Sequence, residues 1–222
     1  MRRAVLILHG ILMSPAWNRP LARDLRRLGY DPVLNWGYLP WRRGGIEGIA
    51  ERTCRRLQRR FPDRLPPLDA VGHSMGGLVL RAMHARGYLP AETRLVTLGS
   101  PHQGARRAEV FKDHPLYRLL FGPCGQDLRP CSPFLQSLPD QAPPNCLNLI
   151  SGRGDEVGFR TRHQGDNDGV VEVQATEWPG ARRLFIPDVR HAWLTLHPRT
   201  REAVCTYLQP MGASMAPNQQ PI

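Results

Sequence analysis

Short, almost unbroken apolar runs alternate along this chain with longer stretches in which apolar positions recur every three or four residues. A run such as Ala4-Val5-Leu6-Ile7-Leu8 offers no polar face, which is the signature of a strand buried on both sides. The pattern predicts strands near 3–8, 31–36, 68–73, 94–99, 146–151 and 183–187. Amphipathic helices are predicted near 17–28, 46–60, 75–86 and 198–208, the last from Val204, Tyr207 and Leu208 at helical spacing. Such alternation specifies the α/β class, with a mostly parallel sheet of about six strands covered by helices on both faces. No internal repeat is evident.

Two segments break the rhythm. Residues 104–144 separate two strands by about forty positions and hold Pro115, Pro123, Pro130, Pro133, Pro139, Pro143 and Pro144. A structureless loop of that length is improbable in a compact domain, so a small cap with its own short helices is expected there. Residues 152–169 form a Gly- and Asp-rich loop after the fifth strand. The chain therefore reads as one domain over 1–208, with a disordered tail expected over 209–222.

Hydrophobic and charged contents of 41% and 22% are ordinary for a soluble globular protein. The net charge of +11 is not ordinary, and it is almost all arginine, since Lys112 is the sole lysine. Such a field attracts anionic membranes, acidic substrates or nucleic acid. The arginines scatter along helical stretches without a nucleic-acid motif, so solvated helix faces explain them and no nucleic-acid partner is expected. A peripheral contact with an anionic membrane through the basic surface stays open. The apolar run behind Arg2-Arg3 stops after five residues at His9-Gly10, too short for a signal-peptide core. No other run approaches membrane-spanning length. With five cysteines in no close CxxC pairing, a cytoplasmic setting with reduced thiols is expected. Cys124 and Cys131 are the one pair placed closely enough to test for a bridge.

Candidate chemistry centres on Gly72-His73-Ser74-Met75-Gly76, between the apolar run Leu68–Val71 and the helix-like run Leu78–Met83. A G-x-S-x-G sequence in a strand–turn–helix context lifts the serine hydroxyl above the sheet, where it can act as a nucleophile. The serine needs a histidine base, and the histidine needs a carboxylate to fix its tautomer. His191 follows directly on the last predicted strand and is favoured over His197, which sits where a helix begins. His9, His73 and His102 flank glycine turns and are expected to shape loops. Asp155 and Asp168 both lie beyond the fifth strand, and residue chemistry alone leaves either as the acid. An oxyanion hole would take one backbone N–H from Met75 and one from Ile11, in the loop after the first strand.

At these residues the chain resembles the α/β-hydrolase fold superfamily, and within it the bacterial lipases and esterases. The likeness runs from about residue 4 to 208 and rests on five stretches. They are Leu8-His9-Gly10-Ile11, Gly72–Gly77, Leu98-Gly99-Ser100-Pro101-His102-Gln103-Gly104, Asn167-Asp168-Gly169-Val170-Val171 and the His191 loop. The resemblance implies Asp168 rather than Asp155 as the acid, and a structural role for Gly99–Gly104 at the entrance to the cap. It also implies that a calcium site of larger relatives is lost, because Trp193 stands where they carry an aspartate; no metal and no cofactor are expected. The implied activity is carboxylic-ester hydrolysis through an acyl-enzyme on small-molecule or lipid esters. Leu12, Trp17, Leu116, Leu120 and Trp193 are candidates for the substrate pocket, although Pro115–Phe121 could equally pack down on the sheet. The same motifs suit an acyltransferase, thioesterase or amidase. A non-catalytic binding protein fits an intact Ser/His/Asp set less well.

Overall fold

The computed structural model describes residues 3–209; of the expected tail, all but Gln209 lies outside them. Six strands form one sheet: β1 (Ala4–Leu8), β2 (Val33–Trp36), β3 (Leu68–His73), β4 (Leu95–Leu98), β5 (Cys146–Gly152) and β6 (Arg182–Pro187). Their order is β2-β1-β3-β4-β5-β6, and every neighbouring pair is parallel. Strand alternation divides the core in two. Val5, Ile7, Val71, Val96, Leu98 and Leu149 pack with α1 (Arg19–Arg27) and α7 (Pro198–Tyr207). Leu6, Leu8, Leu68, Ala70 and Leu95 pack with α2 (Gly45–Arg60) and α3 (Met75–Ala85). Both faces are thus covered, as apolar strands without a polar face require. Truncating a fully buried leucine such as Leu6 or Leu78 to alanine would cost about 2–5 kcal/mol.

The ends of the elements depart from the sequence reading where local chemistry overrides the apolar pattern. Strand β2 starts at Val33 rather than residue 31, because Pro32 has no N–H to give to a ladder. The first predicted helix splits into a tight turn over Pro15–Asn18 and then α1, whose Pro20 is tolerated only within the first turn. On the edge strand β6, Arg182 and Arg183 are exposed, a charged border that discourages further strand pairing.

Three short helices occupy residues 104–144: α4 (Arg106–Val110), α5 (Pro115–Asp127) and α6 (Pro133–Gln136). Helix α5 is kinked at Gly122 (φ 54°, ψ −149°), ahead of Pro123. Its far end ties into the main domain, because Asp127 Oδ2 accepts the Ile46 N–H at the start of α2 at 2.7 Å. Both ends of the insertion are gripped by one buried cation: Arg81 of α3 donates to the carbonyls of His102 and Pro139, each at 2.8 Å. Cys124 and Cys131 are not bridged. Cys124 is buried, its thiol pushed up to about 12 by desolvation, while Cys131 is exposed. Among the described residues no helix is long and apolar enough to cross a membrane.

The opposite end of the sheet is closed by Asp69 at the start of β3. Its fully buried carboxylate accepts from Arg3 (2.9 Å), from the Arg94 side chain (2.6 and 3.1 Å), from the Arg94 amide (3.1 Å) and from the Tyr30 hydroxyl. Arg94 also reaches the carbonyls of Tyr207 and Leu208, so the cluster fastens the end of α7 to the sheet.

Candidate active site

The chain passes from β1 to β2 on one side and from β3 onward on the other, so the loops after β1 and β3 diverge from one point. Open parallel sheets keep a crevice at such a switch point, beyond the carboxyl ends of the strands. Ser74 stands there, between β3 and α3, with φ 54° and ψ −124°. A serine held at positive φ stores backbone strain of about 1–3 kcal/mol, which the surroundings must enforce. Its amide donates to Leu98 O at 2.8 Å, continuing the β3–β4 ladder into the turn.

Two glycines of the motif are dictated by close approach. A Cβ on Gly72 would lie 2.5 Å from the Gly77 nitrogen, and one on Gly76 would lie 2.6 Å from the Leu8 carbonyl oxygen. Helix α3 therefore starts hard against the end of β1. The loop after β1 meets the turn as well, since a Cβ on Gly10 would lie 3.1 Å from Ser74 Cβ. That loop is pinned by His9, whose Nδ1–H donates to Gly10 O at 2.7 Å while Nε2 accepts the Tyr38 N–H at 3.3 Å. One nitrogen donates and the other accepts, so this ring is neutral. Burial lowers its pKa in the same direction. Among the described residues the Ile11 N–H has no backbone acceptor. Met75 opens α3, so its N–H has no acceptor within the helix.

On the far side of the site, His191 Nδ1 lies 2.5 Å from Asp168 Oδ2. Both residues are buried, and the His191 amide donates to the Asp168 carbonyl at 3.0 Å. The other carboxylate oxygen, Oδ1, accepts the amides of Val170 (2.9 Å) and Val171 (2.8 Å). Asp155 is elsewhere: exposed, it accepts the Val157 and Gly158 amides within its own turn, which hold its carboxyl below the usual range. His197 is the residue preceding α7 and makes no contact with Asp168 among the described residues.

Of the pocket candidates, Trp17 and Trp193 meet edge to face at 6.3 Å, joining the β1 loop to the His191 loop. Thr195 reinforces the link by donating to Trp17 O at 3.2 Å. Leu12, Leu116 and Leu120 are exposed instead of packed on the sheet.

Three residues take parts here beyond those the sequence reading gave them. His73 Nε2–H donates to the His191 carbonyl at 3.0 Å, with the two rings 4.8 Å apart. Burial first, and His191 second, depress its pKa far below the ordinary value, so it stays neutral beside the second imidazole. The side chain of Asn167, fully buried, makes five hydrogen bonds within residues 157–169 and so fixes the loop that delivers Asp168. Gly99 (φ 56°) backs the histidine–aspartate pair, as a Cβ there would lie 3.3 Å from His191 Nδ1 and 3.2 Å from Asp168 Oδ2. Only the glycine and asparagine letters themselves could have hinted at the last two. Among the described residues no group of three or more His, Cys, Asp or Glu side chains could hold a metal ion.

No protein-family model and no curated protein matches the chain. Solved structures do. The mature form of the lipase BlEst2 from Bacillus licheniformis superposes with a TM-score of 0.67 at 18% identity, over 94% of this chain and 93% of that one. Phospholipase PlaB from Legionella pneumophila gives 0.70 at 16% identity, over 94% of this chain and 60% of that longer one. The RedJ thioesterase of prodiginine biosynthesis in Streptomyces coelicolor gives 0.53 at 17% identity, over 93% and 85%. The fold is that of the α/β-hydrolases. At such identities the likeness is one of fold, and the chemistry of this chain must be argued from its own residues.

Proposed function

We propose that this chain hydrolyses carboxylic esters through an acyl-enzyme on Ser74. The observation that carries the reading is the strained Ser74 backbone at the switch point, on the same end of the sheet as the buried His191–Asp168 pair. Asp168 takes the His191 Nδ1–H, which leaves Nε2 as the basic nitrogen. Ser74 Oγ adds to the acyl carbonyl carbon as His191 Nε2 takes its proton. That proton then goes to the alcohol oxygen as the ester C–O bond breaks. A water, deprotonated by His191, adds to the acyl-enzyme; collapse releases the carboxylic acid and returns the proton to Ser74.

In both tetrahedral intermediates the negative oxygen is received by the Ile11 and Met75 amides, whose lack of internal acceptors suits them to it. Two amides on Oδ1 hold the Asp168 carboxylate in place, where it offsets the imidazolium formed at His191. A neutral His73 adds no competing positive charge beside that ring.

The test is Ser74→Ala with p-nitrophenyl acyl esters and a fluorophosphonate probe. Turnover should fall by a factor on the order of 10⁴–10⁶, and labelling should vanish. Labelling that persists would move the nucleophile elsewhere. A rate profile over ester chain length, in monomeric and micellar form, then reads the acyl preference.

A further inference from the structure

Parallel strands deliver every loop that follows them to the same end of the sheet, and here that end is apolar. Among the described residues, all the exposed large hydrophobic side chains except Leu184 lie between a strand's carboxyl end and the next helix flanking the sheet, in the insertion after β4, or in the loop after β5. The densest part is α5. Leu116, Leu119 and Leu120 share one helical stripe, and they are 55%, 74% and 42% exposed, turned to solvent instead of the core. Phe111, ahead of the helix, is 40% exposed, its ring 6.4 Å from that of Tyr117 on α5. Trp41, 55% exposed, abuts the helix kink, where a Cβ on Gly122 would lie 2.8 Å from its Cα. A contiguous apolar face of this kind marks a surface that meets something.

The charges around it say what. Arg106, Arg107 and Arg118 lie on α4 and α5, Arg42 and Arg43 follow Trp41, and all five are exposed. None of the five forms an ion pair among the described residues; the acid between them, Glu109, is already taken by Lys112 and Arg129. Asp113 is the opposing charge on this segment. A second copy of a +11 chain would be repelled from such a face, whereas lipid phosphates would be drawn to it.

We propose that this end of the molecule docks on an anionic bilayer, with Trp41, Leu116, Leu119 and Leu120 entering the boundary between headgroups and acyl chains and the arginines on lipid phosphates. Docking would set the Ser74 crevice against ester-bearing lipid, a consequence that rests on the hydrolase reading above; the docking itself does not.

The experiment is co-sedimentation of the full Ser74→Ala chain with vesicles of phosphatidylglycerol and phosphatidylcholine in equal parts, against phosphatidylcholine alone. Binding should favour the anionic vesicles, weaken with salt, and fall at least tenfold in Leu116→Asp/Leu119→Asp. Arg107→Glu and Arg118→Glu should each lower it about fivefold or more. Should the double variant fail to fold, Leu119→Asp alone, at the most exposed position, should still lose about threefold. Equal binding to both vesicles, or binding unchanged in Leu119→Asp, overturns the proposal. So does a concentration-dependent dimer with no vesicle binding. Because the serine variant is used throughout, an active protein that does not dock and a docking protein without activity are separate results.

Discussion

Two buried aspartates sit at opposite ends of this sheet, and their surroundings are built to opposite purposes. Asp69 opens β3; Ser74, five residues on and roughly 16 Å away along the strand, faces the loop that carries Asp168. Asp69 is ringed by two guanidinium groups, an amide and a phenol, with more positive than negative charge around it. Burial and the carboxylate together push the Tyr30 phenol above its ordinary value, so that proton is locked too. Asp168 has two amides on one oxygen and a single imidazole on the other. The first carboxylate is closed in by donors on every side, while the second is joined to one imidazole whose other ring nitrogen the proposed reaction uses. A fully compensated buried carboxylate holds a fold together; one left with a titratable partner can do chemistry.

Substitutions that break the comparison should separate stability from turnover. Asp168→Asn keeps the shape and removes the charge that fixes the histidine tautomer, so kcat should drop about 10⁴-fold in an ester assay. Asp69→Asn removes the buried carboxylate shared by the half-buried Arg3 and Arg94 and should cost about 1–3 kcal/mol in chemical denaturation, while the folded fraction keeps its kcat within about twofold. If Asp69→Asn lost turnover without losing stability, the division of labour drawn here would be wrong. Acid supplies a milder test. His73 and His102 are fully buried and held neutral by desolvation, so each takes up a proton near its ordinary 6.5 only in the unfolded chain. Stability is therefore intact above pH 6.5 and declines below it, by up to about 1.4 kcal/mol per pH unit for each ring. Melting temperatures between pH 7 and pH 5 read that slope. Asp155→Asn, in an exposed turn, should leave both kcat and melting temperature nearly unchanged.

The elements were legible in the sequence because a parallel sheet covered on both faces demands apolar runs, and β3 was marked by the apolar run ahead of the elbow. The Gly-x-Ser-x-Gly turn was legible because its glycines answer to steric contacts that no other residue tolerates. Residue chemistry alone did not choose between Asp155 and Asp168, which only the resemblance separated, since both lie beyond β5 and their placement is decided by the folding of the loop. Five hydrogen bonds of Asn167 bring residue 168 back under His191, and nothing in spacing announces them. The bond from His73 to the His191 carbonyl spans 118 positions and is equally silent. The direction in which α5 turns its leucines could not be read either, because a helical stripe looks the same whether it faces the core or water.

Arg81 gives the molecule a property of a different kind. Because one side chain of the elbow helix holds both margins of the insertion, the stretch between His102 and Pro139 is moored to the same helix that the nucleophile turn opens. A change that displaces Arg81 would therefore shift both ends of the insertion and the elbow helix together, one guanidinium acting as a common hinge pin.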